Sequence, residues 1–137
     1  MKTFMIAYGT SALTMLALDS VWLTLTSQRL YRAQLGELMR PGFDLPPAAV
    51  FYLLYLVGIV VFAVQPALAQ QSWGVALRLG ALLGLVAYAT YDLTNQATLR
   101  GWPVAITIAD LCWGTFLTAT AATAGYFAAR HFGAQAG

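Results

Sequence analysis

The sequence predicts an all-α, polytopic membrane protein: a single domain, residues 1–137, built as a bundle of four transmembrane helices. The 137 residues are 60% hydrophobic and 9% charged, with a mean hydropathy of +0.69, whereas soluble domains carry about 25% charged residues. A bilayer core requires about 20 largely apolar residues per helix. Four such stretches can be laid out, and together they use nearly the whole chain.

The predicted helices cover about residues 4–26, 48–68, 75–99 and 103–128. The first resembles a secretory signal, because Lys2 precedes an apolar run. We expect it to be retained, since it is long enough to span and carries Asp19 and Trp22 in place of a small-residue cleavage site.

Residues 27–47 form the one long polar connection, predicted as an interfacial segment whose helical part ends before Pro41. A solvated loop is the alternative. The short links "AQQSW" and "RGWP" predict that helix two packs beside helix three, and helix three beside helix four. Both termini should lie on one side of the membrane. Lys and Arg divide almost evenly between the sides, so orientation stays open.

Three of the five acidic residues, Asp19, Asp92 and Asp110, fall within predicted helices. Each lies about seven residues from the face that carries the first and third loops, which at 1.5 Å per residue is about 10 Å inside that face. An Asp near a helix centre costs about 2.5–3.5 kcal/mol on insertion scales. Common depth and this cost together predict a shared site.

Helical phase places aromatic and polar side chains on the same helix faces as these acids. The matching stretches "DSVWLT" and "DLCWGT" lie on helices that run in opposite directions, so one tryptophan should cap the site and the other should floor it. The alternative is that the acids only hold the helices together through tyrosine, threonine and tryptophan donors. The predicted ligand- or proton-binding residues are Asp19, Trp22, Tyr88, Tyr91, Asp92, Asn95, Asp110 and Trp113.

Other residues have structural interpretations. Gly80, Gly84 and Gly114 are predicted to allow close helix approach, chiefly within the monomer. Tyr52 and Tyr55 lie near a predicted helix end, where interfacial anchoring explains tyrosine. Helix two has no charge in its interior and is expected to be a packing or lipid-facing partner.

The composition also argues against several partners. Cys112 is the only cysteine and His131 the only histidine, so neither a disulfide nor the usual zinc arrangements can form within one chain. No metal and no cofactor are expected. The net charge of +2 comes from scattered basic residues, which argues against nucleic acid. Membrane lipids are the expected partners, with a homodimer or larger membrane complex as the expected assembly.

Four stretches of the sequence resemble the domain-of-unknown-function family 2177. They are "YATYDLTNQATLRGWP", "ADLCWGT", "ALDSVWL" and "FYLLYLVGIVVFAVQPAL", so the resemblance covers nearly the whole chain. It implies a small multi-pass protein of the bacterial inner (cytoplasmic) membrane and supplies no activity, cofactor or substrate. The family's signature segments hold Asp19, Trp22, Tyr91, Asp92, Thr94, Asn95, Asp110 and Trp113.

Three functions remain open at this stage. The favoured one is a protein that binds or transports a proton, a cation or a small polar or lipid-like ligand at the three carboxylates. The second is a membrane-embedded enzyme acting on a lipid or isoprenoid, with one Asp as general acid or base. The third is an accessory subunit of a larger membrane complex. A cavity open to water, a slot open sideways to lipid and a dry hydrogen-bonded cluster would favour them in that order.

Overall fold

The computed structural model describes residues 1–39 and 44–133. Over these residues the fold is four helices without strands, each long and apolar enough to cross a membrane. The predicted fold class, an all-α bundle of four transmembrane helices, is confirmed. The helices are α1 (Lys2–Leu38), α2 (Leu45–Gln70), α3 (Trp73–Thr98) and α4 (Val104–Gly133).

Two of the helices contain wide, π-helical turns before their last part. In α1 the regular helix Lys2–Thr26 is followed by a π-helical segment, Ser27–Arg32, and then by short turns to Leu38. In α2 a π-helical segment, Val60–Val64, precedes Pro66. Proline cannot donate to the ladder and its ring crowds the carbonyl four residues earlier, so the wider turn relieves that conflict within α2.

Helix α3 packs most extensively against α4, and glycine makes the approach possible. A Cβ atom added to Gly84 would lie 2.2 Å from the carbonyl oxygen of Gly114, and one added to Gly80 would lie 2.9 Å from the Cβ of Ala122. A Cβ on Gly114 would lie 2.2 Å from the ring of Tyr88. The predicted close-approach role of these glycines is therefore confirmed.

Helix α1 packs against the other side of α4. The Ser11 hydroxyl donates to the Ala121 carbonyl at 2.9 Å, and a Cβ on Gly125 would lie 2.6 Å from the Ser11 Oγ. The Thr3 side chain contacts Gly133, so the first turn of α1 meets the last turn of α4. We call this the terminal end of the bundle; the opposite end, with residues 27–38 and the α3–α4 link, is the loop end.

The buried core lies between the helices and extends to the terminal end. The outer surface carries many exposed large apolar side chains, among them Leu54, Phe62, Leu82 and Phe116, as expected where the neighbours are acyl chains. At the loop end, residues 44–51 of the α2 region are all exposed. The core side chains include Ala7, Met15, Leu56, Ile59, Val60, Ala63, Val64, Ala76, Leu117, Ala121, Ala122 and Tyr126.

Candidate functional site

A cavity of about 330 Å³ lies between α2, α3 and α4 towards the loop end. Helix α3 supplies four of its walls at helical spacing, so that they share one face. Two of the lining residues, Phe51 and Tyr91, are 48% and 61% exposed. The cavity therefore opens on the outer side of the bundle, between α2 and α3. Its lining residues are Phe51, Ala87, Tyr88, Tyr91, Asp92 and Asp110.

The Asp92 side chain is the most unusual group in this cavity. The residue is fully buried, and within the described part of the chain no donor reaches either of its carboxyl oxygens. Asp110, from α4, lines the same cavity. Buried polar groups are almost always satisfied, so the Asp92 carboxyl group has unused bonding capacity inside the bundle.

Asp110 is held from the loop end by a chain of two hydrogen bonds. The Tyr31 hydroxyl donates to Asp110 Oδ1. The Trp22 indole Nε1 donates in turn to the Tyr31 hydroxyl oxygen at 3.0 Å. This arrangement fixes one oxygen of the Asp110 carboxylate, and Asp110 also lines the cavity.

Asp19 belongs to a separate cluster, so the structure does not place all three acids around one cavity. Its Oδ2 accepts from the Tyr52 hydroxyl and its Oδ1 accepts from Trp113 Nε1 at 3.0 Å. Both carboxylate oxygens therefore have donors, and they join α1, α2 and α4. Of the three predicted acids, Asp92 and Asp110 line the cavity, while Asp19 fits the alternative role of holding helices together.

The expected placement of the two tryptophans was wrong. Trp22 and Trp113 do not cap and floor a site but stack on each other, with ring centroids 4.5 Å apart and planes inclined by 8°. Side chains on a helix lean towards its N-terminus. Because α1 and α4 are antiparallel, the two indoles lean in opposite directions along the bundle axis, each towards the other. The rings can therefore stack although their Cα atoms are offset along that axis.

Of the three other predicted site residues, all on α3, two line the cavity and one does not. The Tyr88 ring lies against Gly114 and meets Tyr55 edge-on at 6.4 Å, on the cavity wall. Tyr91 lies at the cavity mouth, edge-on to Trp102 at 6.0 Å. Asn95 is half-buried on α3 and is not among the lining residues.

Several residues of the site were not found from the sequence. Tyr52 and Tyr55 were interpreted as interfacial anchors, but Tyr52 donates to Asp19, and Tyr55 is buried with its hydroxyl 2.7 Å from Thr118 Oγ1. Phe51 lines the cavity, and Tyr31, from outside the predicted spans, donates to Asp110. The pattern "FYLLYL" holds the usable signal, because its aromatic residues recur four apart on one helix face.

A second, apolar groove of about 420 Å³ adjoins the first cavity. The two share Phe51 and Ala87 in their walls. The groove follows α2 and α3 away from the loop end, and its remaining walls are almost entirely aliphatic or aromatic. They are formed by Leu54, Tyr55, Val57, Gly58, Val61, Phe62 and Leu83.

The described residues contain no group of three or more His, Cys, Asp and Glu side chains that could hold a metal ion. Four apolar spanning helices around a carboxylate-lined side cavity define a multi-pass integral membrane protein. The family model described as "Predicted membrane protein (DUF2177)" matches residues 4–127, and the chain belongs to that family. Comparison with curated proteins and with solved structures found no match.

Proposed function

We propose that this protein binds an amphipathic, lipid-like ligand from within the bilayer, in a bacterial inner membrane. The apolar chain of the ligand occupies the groove between α2 and α3, and its polar end meets Asp92 and Asp110. The observation that carries this proposal is the Asp92 carboxyl group, fully buried at the cavity and without a donor from the described residues.

The position of the opening supports a ligand that partitions into lipid. Phe51 and Tyr91 flank the mouth, and exposed apolar side chains such as Leu54 and Val86 lie on the outer faces of the same two helices. In a membrane these faces contact acyl chains. A molecule dissolved in the bilayer therefore reaches the mouth directly.

The shapes of the two cavities support an amphipathic molecule. The groove has apolar walls and leads, past Phe51 and Ala87, to the cavity that holds both carboxyl groups. Binding sites commonly combine apolar walls with a few convergent polar groups that fix orientation. Here the groove matches a hydrocarbon chain, and the two carboxyl groups match a polar end that offers hydrogen-bond donors or positive charge.

An enzyme acting on a lipid or isoprenoid is the second candidate, because a sideways opening serves a membrane-dissolved substrate equally well. Two carboxyl groups at one cavity can act as a general acid and a general base. The two functions differ in the fate of the ligand. A binding protein or transporter returns it unchanged, whereas an enzyme converts it, so extracting the ligand after incubation and determining its mass separates them.

Photoaffinity labelling in lipid nanodiscs tests the proposal. The probe is a long-chain alcohol with a diazirine near the middle of its chain, and we expect crosslinks at groove residues such as Phe62 and Leu83. Phe51→Trp should fill the mouth and reduce labelling strongly. Phe127→Trp is the matched control, because Phe127 is also 48% exposed but lies at the terminal end of α4. Equal labelling of both variants, or labels spread evenly over the exposed helices, would contradict the proposal.

A further inference from the structure

We infer that the polar end of the ligand is a cation of the alkylammonium class. This inference rests on the proposed function and adds the charge of the headgroup. Three features of the cavity support it: two carboxyl groups without a basic partner, three aromatic rings, and the absence of a metal-binding cluster among the described residues.

The first feature is the charge at the cavity. Asp92 and Asp110 line it, and no Lys, Arg or His of the described chain does so. Buried carboxylates are normally paired with a cation or neutralised, because an isolated charge is costly in a medium of low dielectric constant. Since the described lining supplies no counter-charge, a positively charged ligand completes the site. An anionic headgroup would meet like charge.

The second feature is the set of aromatic walls. Phe51, Tyr88 and Tyr91 surround the same cavity as the two carboxyl groups. The faces of aromatic rings attract cations, and rings around quaternary ammonium groups are a recurrent recognition device. Tyr88 is fixed for this role, because its ring is held between the Gly114 backbone and the edge of Tyr55.

The third feature concerns the kind of cation. A bare metal ion would require several oxygen ligands in a compact arrangement, but one of the two carboxyl groups is already bonded to Tyr31, and the remaining lining side chains are aromatic or alanine. An ammonium group with an attached chain instead uses every part of the site. Its charge faces Asp92 and Asp110, its methyl or methylene groups contact the rings, and its chain follows the groove.

A competition series of three single-chain molecules tests the headgroup. Dodecyltrimethylammonium, dodecanol and dodecanoate share a chain and differ in charge, and each is titrated against the photoreactive alcohol in nanodiscs of neutral lipid. We expect the ammonium compound to displace the probe at about tenfold lower concentration than dodecanol, because one charge contact of about 1.4 kcal/mol corresponds to a factor of ten.

Variants assign this preference to the site. Asp92→Asn should bring the ammonium compound and dodecanol to similar potency, since it removes one carboxyl group without changing side-chain size. Glu37→Gln, an exposed position at the loop end, removes the same charge elsewhere and should leave the preference intact. Tyr91→Leu removes an exposed ring and should weaken displacement by the ammonium compound more than displacement by dodecanol. The Tyr91→Leu variant tests the inference even if Asp92→Asn folds poorly.

The outcomes are distinct. Equal displacement by all three compounds, or strongest displacement by dodecanoate, would overturn the cation inference while leaving the proposed binding of lipid-like molecules in place. A preference for the ammonium compound that persists in Asp92→Asn would also overturn it. Failure of the alcohol probe to label the groove at all would overturn the proposed function and this inference together.

Discussion

Trp22 and Trp113 lie face to face, and each indole also donates a hydrogen bond to a different part of the buried polar network. Trp22 donates to Tyr31, which holds Asp110, and Trp113 donates to Asp19. The stacked pair thus connects the Asp19 cluster to Asp110, which lines the cavity. The same pair fixes α1 on α4 towards the loop end, on the side where the cavity lined by Asp92 and Asp110 lies.

Parallel indoles at this separation should couple optically. We expect Trp22→Leu to abolish a strong aromatic signal in the near-ultraviolet circular dichroism spectrum, because the ring contact at 4.5 Å is lost. Trp73→Leu, at an exposed position at the start of α3, is the control and should keep the signal. A spectrum that Trp22→Leu leaves unchanged would contradict the stack.

Replacing Asp by the isosteric Asn should change the free energy of unfolding differently at positions 19 and 92. Asp19→Asn should lower the free energy of unfolding by about 1–2 kcal/mol, because the amide nitrogen cannot accept and one of the Tyr52 and Trp113 donors loses its partner. Asp92→Asn removes no donated bond and replaces a buried carboxyl group by a neutral amide, so stability should be unchanged or higher. Unfolding in mixed micelles with increasing sodium dodecyl sulfate measures both, and the reverse ranking would contradict the assignment of the two acids.

The glycine contacts between α3 and α4 predict that adding a methyl group there lowers the yield of folded protein. Gly84→Ala and Gly114→Ala should each destabilise the protein by about 1–3 kcal/mol or more, because the new methyl group has no space. Gly58→Ala is the control, since its nearest neighbour would be 3.7 Å away. The monodisperse fraction after detergent extraction reports the difference. Equal yields for all three variants would argue against the close approach.

We expect the terminal end and the loop end of the bundle to lie on opposite sides of the membrane. In a Cys112→Ser background, Lys2→Cys and Glu37→Cys should be labelled by a membrane-impermeant maleimide from opposite sides. Right-side-out and inverted vesicles provide the two directions of access. Labelling of both positions in the same vesicle preparation would rule out this topology.

Tyr31 should order the segment that follows the regular part of α1. Tyr31→Phe removes the hydroxyl group between Trp22 and Asp110, and we expect faster amide hydrogen exchange over residues 27–35 because the segment loses a tertiary bond. Tyr91→Phe is the control, because it alters a hydroxyl on an exposed tyrosine at the cavity mouth. Equal exchange rates in wild type and Tyr31→Phe would indicate that other contacts hold the segment.

The sequence predicted those features that depend on hydropathy, helical depth and helix face. The fold class followed from four apolar stretches. That Asp92 and Asp110 line one cavity agrees with their common depth and with the short link between their helices. The separate partners of Asp19 could not be predicted in this way. Depth and phase locate a Cα atom, but Tyr52 and Trp113 reach Asp19 through the direction and length of their side chains.

Tyr31 was missed for a different reason: residues 27–47 were predicted to be an interfacial segment or a solvated loop outside the spanning helices. It lies in the π-helical segment Ser27–Arg32, where the number of residues per turn exceeds that of the α-helix. A phase count at 100° per residue therefore fails beyond Thr26. The same limit applies to α2 beyond Ile59, where the π-helical segment Val60–Val64 begins.

The interlocked glycines of α3 and α4 determine which wall of the cavity can yield. Tyr88, Asp92 and Asp110 lie on this tightly packed pair of helices, so we expect their spacing to be preserved for proposed ligands of different thickness. Phe51 lies on the opposite wall, in the exposed part of α2 next to residues 44–50, where displacement breaks few buried contacts. The protein should therefore be strict about the headgroup and permissive about the thickness and branching of the chain, since recognition and accommodation reside on different helices.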